Sequence, residues 1–194
     1  MVNMNCLKIA FLLYTWLLGH ISAISLSNRA GGTGNFQAYA YGDGIGGLPV
    51  FSTGFTVYIG NSTSINSSDA APVIFTKSST NLTSNPNTTA SSSSTPSWSN
   101  LLFAIPAPSS PTHTVALVSP TNITTDTVTS GFTFYGHFIF VSESGSLQSL
   151  FYALPTDTDD VWSLNWNSTS DETAGKVLVS LRDVMPSNGG DVVE

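Results

Sequence analysis
The sequence predicts an all-β protein, an antiparallel β-sandwich or jelly-roll-like fold of about eight or nine strands. Two observations carry that expectation. Apolar and aromatic residues alternate with a period of two over short runs, and clusters of Gly, Pro, Asn, Asp and Ser separate those runs at regular intervals. A third observation excludes the alternative: no sustained 3.6-residue period marks an amphipathic helix across residues 24–194, the span expected to form a single secreted domain.

Residues 1–23 precede that domain. Lys8 is followed by the apolar run Ile9 to Leu18 and by the small residues Ser22 and Ala23, the outline of a secretory signal peptide. The run is shorter than the roughly 20 residues that cross a bilayer, and no hydrophobic tail follows Asp191-Val192-Val193-Glu194, so no membrane anchor is expected. Cys6 is the only cysteine and departs with the leader, which removes disulfides and thiol chemistry from the secreted chain. A domain of roughly 170 residues buries about 70% of its unfolded surface and folds without such staples.

The full chain carries a formal charge of −7. Without the leader, Arg29, Lys77, Lys176 and Arg182 face all twelve carboxylates. Nucleic acid is excluded as a partner because phosphate neutralisation takes clustered Lys and Arg. Adhesion to anionic membranes fails for the same reason. The expected location is extracellular.

The first strands flank a glycine-dense turn. Phe36, Tyr39 and Tyr41 lead into Gly42, Gly44, Gly46 and Gly47, and Pro49 and Phe51 lead out toward Phe55, Val57 and Ile59. Gly42 to Gly47 matches G-x-G-x-x-G, but that motif holds a pyrophosphate only where a helix opens behind it. Leu48-Pro49-Val50-Phe51 opens no helix, so strand, turn and strand are expected, with no cofactor.

Val73 to Phe75 forms the next strand. Residues 77–97 then turn to Ser, Thr and Asn, with Ser91 to Ser94 wholly polar, and are expected to be a disordered, low-complexity loop inserted in the domain. Trp98 to Ile105 and His113 to Val118 supply further strands. The longest β signal follows, with Phe132, Phe134, Phe138 and Phe140 on one face, Thr133, Tyr135, His137 and Ile139 on the other, and Gly136 marking a bulge. Leu147 to Leu154 is expected to form a hairpin with that strand. Val161 to Trp166 and Lys176 to Val184 complete the set.

Catalytic signatures are sparse. His113 and His137 fall in no H-E-x-x-H or H-x-H pattern, and His137, within a strand beside aromatics, is assigned a hydrogen-bonded structural role, so no metal site is expected. No Gly-x-Ser-x-Gly elbow occurs. Asp43 and Glu143 sit in glycine-flanked turns and are the candidates for a glycosidase pair, which works at a separation of about 5 to 9.5 Å. Asp157, Asp159 and Asp160 resemble the opening of a calcium loop, but Val161 stands where an oxygen ligand belongs, and the cluster is read as a turn.

Aromatic residues give the better functional signal. Trp98, Trp162, Trp166, Tyr39, Tyr41, Tyr58, Tyr135 and Tyr152 are stacking platforms wherever strand parity leaves them exposed. Trp162 and Trp166, on one strand face, are the binding candidates. Asn-x-Ser/Thr sequons at Asn61, Asn66, Asn81, Asn87, Asn122 and Asn167 mark N-glycosylation sites and hence the solvent face.

The segments NFQAYAYGDGIGGLPVF, STGFTVYIG, VWSLNWN and KVLVSLRDVMPSN together resemble small secreted glycoproteins of filamentous ascomycete fungi. The resemblance covers the N-terminal third and the last strands, and it implies a fungal extracellular setting, at the cell surface or as an effector-like factor. The expected function is that of a secreted, non-enzymatic glycoprotein that binds an extracellular polysaccharide or protein partner. A carbohydrate-binding module or lectin, and a glycoside hydrolase or lyase, are the alternatives.

Overall fold
The structure, a computed structural model, describes residues 34–89, 95–167 and 172–187. The expected leader, Cys6, Arg29 and Ser91 to Ser94 lie outside the described residues. Fifteen strands follow in chain order: β1 (Asn35–Gln37), β2 (Tyr39–Gly42), β3 (Ile45–Ser52), β4 (Val57–Gly60), β5 (Ala71–Ser78), β6 (Asn81–Pro86), β7 (Leu101–Pro106), β8 (Ala116–Val118), β9 (Thr127–Val128), β10 (Phe132–Tyr135), β11 (Phe138–Glu143), β12 (Ser146–Gln148), β13 (Phe151–Pro155), β14 (Val161–Trp166) and β15 (Val177–Arg182). The number exceeds the expected eight or nine because four of the expected runs each divide in two, giving β1 and β2, β3 and β4, β10 and β11, and β12 and β13, and because β6 and β9 form where no strand was expected.

The all-β antiparallel architecture holds. Six of the strands close a ring, in which β2 pairs β3, β3 pairs β4, β4 pairs β14, β14 pairs β13, β13 pairs β15 and β15 returns to β2. From β3 a second layer runs on through β5, β6, β7 and β8. Its inward aromatics meet those of the ring and of β10: Phe75 lies 5.4 Å from Phe103, which lies 5.2 Å from Phe132 and 6.4 Å from Phe151, and Phe151 packs edge-on against Trp166 at 4.7 Å. All five are essentially inaccessible to solvent. Covering a Phe side chain contributes about 1.5–3 kcal/mol, so this row is the centre of the core.

The glycine motif serves the closure of the ring. A Cβ on Gly42 would stand 2.5 Å from the Leu178 carbonyl oxygen of β15. Glycine is therefore required for β2 to lie against β15. β3 begins at Ile45, where a phosphate-binding site would need a helix.

Two expectations are corrected. Residues 77–97 are not a continuous loop: β5 extends to Ser78 and β6 pairs with it from Asn81 to Pro86. The hidden signal is parity, since Leu82 and Ser84 point inward and are buried while Asn81, Thr83 and Asn85 do not. Likewise, residues 132–140 do not form one strand. Gly136 and His137 are a two-residue hairpin loop between β10 and β11, with Gly136 at φ +59°. Chain reversal there carries Phe132 and Phe134 inward beside their partners Val141 and Ile139, and puts Phe138 and Phe140 outward beside Tyr135 and Thr133.

Candidate functional site: an aromatic outer face
The hairpin reversal creates a line of side chains across the outer face of the sheet. Tyr135 of β10 is paired with Phe138 of β11, Phe138 with Arg182 of β15, and Arg182 with Tyr39 of β2. Residues directly opposite in an antiparallel ladder point to the same side. The alternation of β15 confirms which side: Val179 and Leu181 are buried, whereas Leu178, Ser180 and Arg182 are not. At the open end of the line, Tyr135 is 62% exposed and Phe138 37%.

Arg182 is the cation of this face. Its guanidinium carbon lies 4.7 Å from the Phe138 ring centre and 5.1 Å from that of Tyr41, so two aromatic faces attract it. Among the described residues no carboxylate lies within ion-pair distance of it. Its Nε–H is buried without an acceptor, whereas the terminal nitrogens of this half-buried residue are not closed off in the same way. A desolvated donor without a partner costs about 1–3 kcal/mol, so the side chain has unused hydrogen-bonding capacity.

The nearest carboxylate is occupied elsewhere. Asp183 Oδ1 accepts from His137 Nδ1 at 2.8 Å, with the imidazole largely exposed and the carboxylate only 7% so. The backbone repeats the link, Asp183 N–H donating to the His137 carbonyl at 3.1 Å. The hairpin tip is thereby fastened to the end of β15. On the other side Tyr41 Oη donates to the Val184 carbonyl at 3.2 Å. Burial, with the neighbouring Tyr41 adding to it, pushes the Tyr39 phenol above its ordinary range, and its hydroxyl donates to Gln37 Oε1. Tyr39 therefore remains a neutral, covered end to the line.

The sequence-derived candidates fall in different places. Trp166 is 3% exposed, with its ring against Phe151, and Trp162 is half-buried against the same core. Trp166 is thus a packing residue, because β14 is covered on the side that carries it. Trp98 and Tyr152 are buried too, and Tyr58 stacks on Phe51 at 5.3 Å. His113 lies beside the Trp166 backbone, whose N–H donates to the His113 carbonyl at 2.8 Å.

The acidic candidates do not share a site. Asp43 occupies the β2–β3 turn. Glu143 lines a cleft of about 610 Å³ with Ser142, Ser144, Gln148, Trp166 and Asn167, and Asp43 takes no part in it. Asp157, Asp159 and Asp160 belong to the β13–β14 hairpin loop, which Thr156 closes through its Oγ1 to the Val161 carbonyl at 2.8 Å. Among the described residues no three His, Cys, Asp or Glu side chains converge as a metal site would require.

A second concavity of about 610 Å³ lies under the loop between β8 and β9, mostly apolar, with Phe55 and Leu101 in its lining. Phe55 is 64% exposed. Asn122 and Thr124, one complete sequon, line the same groove. Two other sequons have a defined geometry. Asn61 Oδ1 accepts from Thr63 N and Oγ1 at 3.0 and 2.9 Å, and Asn87 Oδ1 accepts from Thr89 N and Oγ1 at 3.2 and 2.6 Å. Each Asx turn occupies the carbonyl oxygen and leaves Nδ2, the atom that takes a glycan, unused by the turn.

Sequence reasoning missed Arg182 and the pairing of Tyr135 with Phe138. The available signal was Tyr135-Gly136-His137-Phe138, a glycine-initiated two-residue loop between aromatic runs. No family model, no curated protein and no solved structure matches the chain.

Proposed function
We propose that the chain is a secreted N-glycoprotein that acts by binding, and that it binds on the outer face formed by β10, β11, β15 and β2. One observation carries the reading: the in-register line of Tyr135, Phe138 and Arg182, which combines exposed aromatic surface with an unpaired cation. Exposed aromatic clusters with a polar anchor are the usual substance of recognition surfaces. The sequons support the choice of face, because none of the six falls on these four strands. A glycan on Asn122 would stand at the groove instead. The fungal extracellular setting implied by the sequence resemblance is part of the same proposal, with a wall polysaccharide or a partner protein as the ligand class.

The test is retention of the glycosylated protein on insoluble wall polysaccharides and on immobilised extracellular proteins, with released sugar assayed in the same tubes. Tyr135→Ala and Phe138→Ala are expected to weaken retention by about tenfold or more without lowering the unfolding midpoint appreciably, and without sugar release. Unchanged retention in both variants would remove the face from the reading. The cleft that holds Glu143 beside Trp166 supports a second reading, a glycoside hydrolase or lyase. Sugar release that disappears in Glu143→Gln would put that reading first.

A further inference from the structure
We infer that the ligand of this face is a carboxylate-bearing glycan, a chain of uronate-type sugars, one of whose carboxylates is held by Arg182. The inference rests on the reading of the face as a binding surface and names what the surface selects. Arg182 sits between the rings of Phe138 and Tyr41, with its terminal nitrogens uncommitted. A planar guanidinium in that state binds a carboxylate through two parallel N–H···O bonds. The adjacent Asp183 would quench it, but that carboxylate is turned to His137.

Charge and shape narrow the ligand further. One unpaired guanidinium stands on this face of a chain that carries −7 overall, so one carboxylate is held there, whereas a polyphosphate, with several charges close together, needs clustered cations that the face does not offer. An acidic peptide is the poorer fit. Peptides gain affinity from a free sheet edge, and the edge at this face is the four-residue β10, whose Phe132 N–H already donates to the Thr80 carbonyl, while β11 and β15 are hydrogen-bonded on both flanks. What the face offers is side-chain surface: the flat rings of Tyr135 and Phe138 on successive strands, roughly 4.8 Å apart, and then the guanidinium one strand further. A sugar ring lays its C–H surface on an aromatic face and presents its substituent carboxylate from the ring edge. An extended glycan crossing the strands therefore meets both features in order.

The experiment is calorimetric titration of the glycosylated full chain with three probes: an oligogalacturonide, its methyl ester and a neutral chito-oligosaccharide of similar length. The expected result is binding of the free acid that weakens as salt is raised, and a loss of about ten- to hundredfold for the methyl ester and for Arg182→Met. Arg182→Lys is expected to recover only part of the affinity, since it restores the charge without the fork. Equal binding of acid and ester by the wild-type protein would overturn the inference and needs no variant to fold. If the neutral oligosaccharide binds as well as the acid and is lost in Phe138→Ala, the face reading stands and the carboxylate fails. If no glycan binds and a protein partner is captured through Tyr135 and Phe138, the uronate is likewise overturned while the face survives. Capture that ignores both residues overturns the two together.

Discussion
The inner and outer aromatic rows of this protein meet on one strand, β10, and differ in almost everything else. On the inner side Phe132 of β10 is fully covered and lies 5.2 Å from Phe103, in a chain of rings that links the second layer to the barrel. On the outer side, three residues along, Tyr135 is largely exposed and its neighbour Phe138 packs on a cation. Hydrophobic surface that is covered contributes to folding, whereas the same chemistry left in water is retained for contact. The comparison teaches that residue type alone does not separate a core aromatic from a recognition aromatic. Strand parity, and the turn that sets it, does.

The largest effect that tests this division is the contrast between Phe132→Ala and Phe138→Ala. Removing the Phe132 ring opens a cavity among Phe103 and its neighbours and is expected to cost about 3–5 kcal/mol. Removing Phe138 takes away a partly exposed ring and one cation–π contact, an expected loss of about 1 kcal/mol or less. Urea unfolding of both variants with unchanged m-values measures the difference. Equal losses would mean that the two rows are energetically one core, and the outer face would lose its claim to be a separate surface.

Much of the fold was legible because period-two patterning survives in single strands. Val161 to Trp166 matches β14 at both ends, and Val177 to Arg182 lies within the span expected for the last strand. Legibility failed where pairing partners decide the outcome. Asn81 to Pro86 is polar enough to read as loop, yet β5 on one side and β7 on the other satisfy its backbone and bury Leu82. The candidate site was less legible still. The tryptophans are the largest platforms in the sequence, but largest also means most worth covering, and Trp166 is covered. Arg182 showed no signal of its own, since its importance comes from Phe138 and Tyr41, which lie 44 and 141 residues away in the chain and are brought in only by sheet register.

A smaller effect sharpens the comparison at its hinge. Gly136 has φ +59°, and a Cβ built there meets no atom within 4 Å. Gly136→Val therefore tests backbone conformation without a steric clash, and the left-handed conformation is expected to cost a β-branched residue about 1–2 kcal/mol. Asn, which tolerates that conformation, is expected to cost less. If the reversal at Gly136 is what turns Phe138 outward, the Val variant also weakens ligand binding, while Gly145→Val at the β11–β12 turn, φ +83°, loses stability alone. Full stability in Gly136→Val would show that the hairpin pairing, and not the loop, fixes the division of the two rows.

The smallest effect concerns an inner aromatic held by a loop instead of a strand. Trp98 is buried, and its Nε1–H donates to the Asp69 carbonyl at 2.8 Å, while the Asp69 side chain accepts from the Ser97 N–H at 2.7 Å. That backbone hydrogen bond, with a further one from the Ser97 side chain, holds the Asp69 carboxyl below the usual carboxylate range. A carboxyl whose value is lowered by folding contributes stability that is complete above the ordinary Asp range and is lost as pH falls through the lower folded value. Asp69→Asn keeps an oxygen acceptor for Ser97 and removes the titration. The wild-type protein is therefore expected to lose stability more steeply than the variant as pH falls through the Asp range, with the two curves converging at the acid end. Thermal unfolding midpoints across that range measure it, and parallel curves would mean that core packing and the Nε1–H bond to the Asp69 backbone carbonyl hold Trp98 without help from the Asp69 carboxylate.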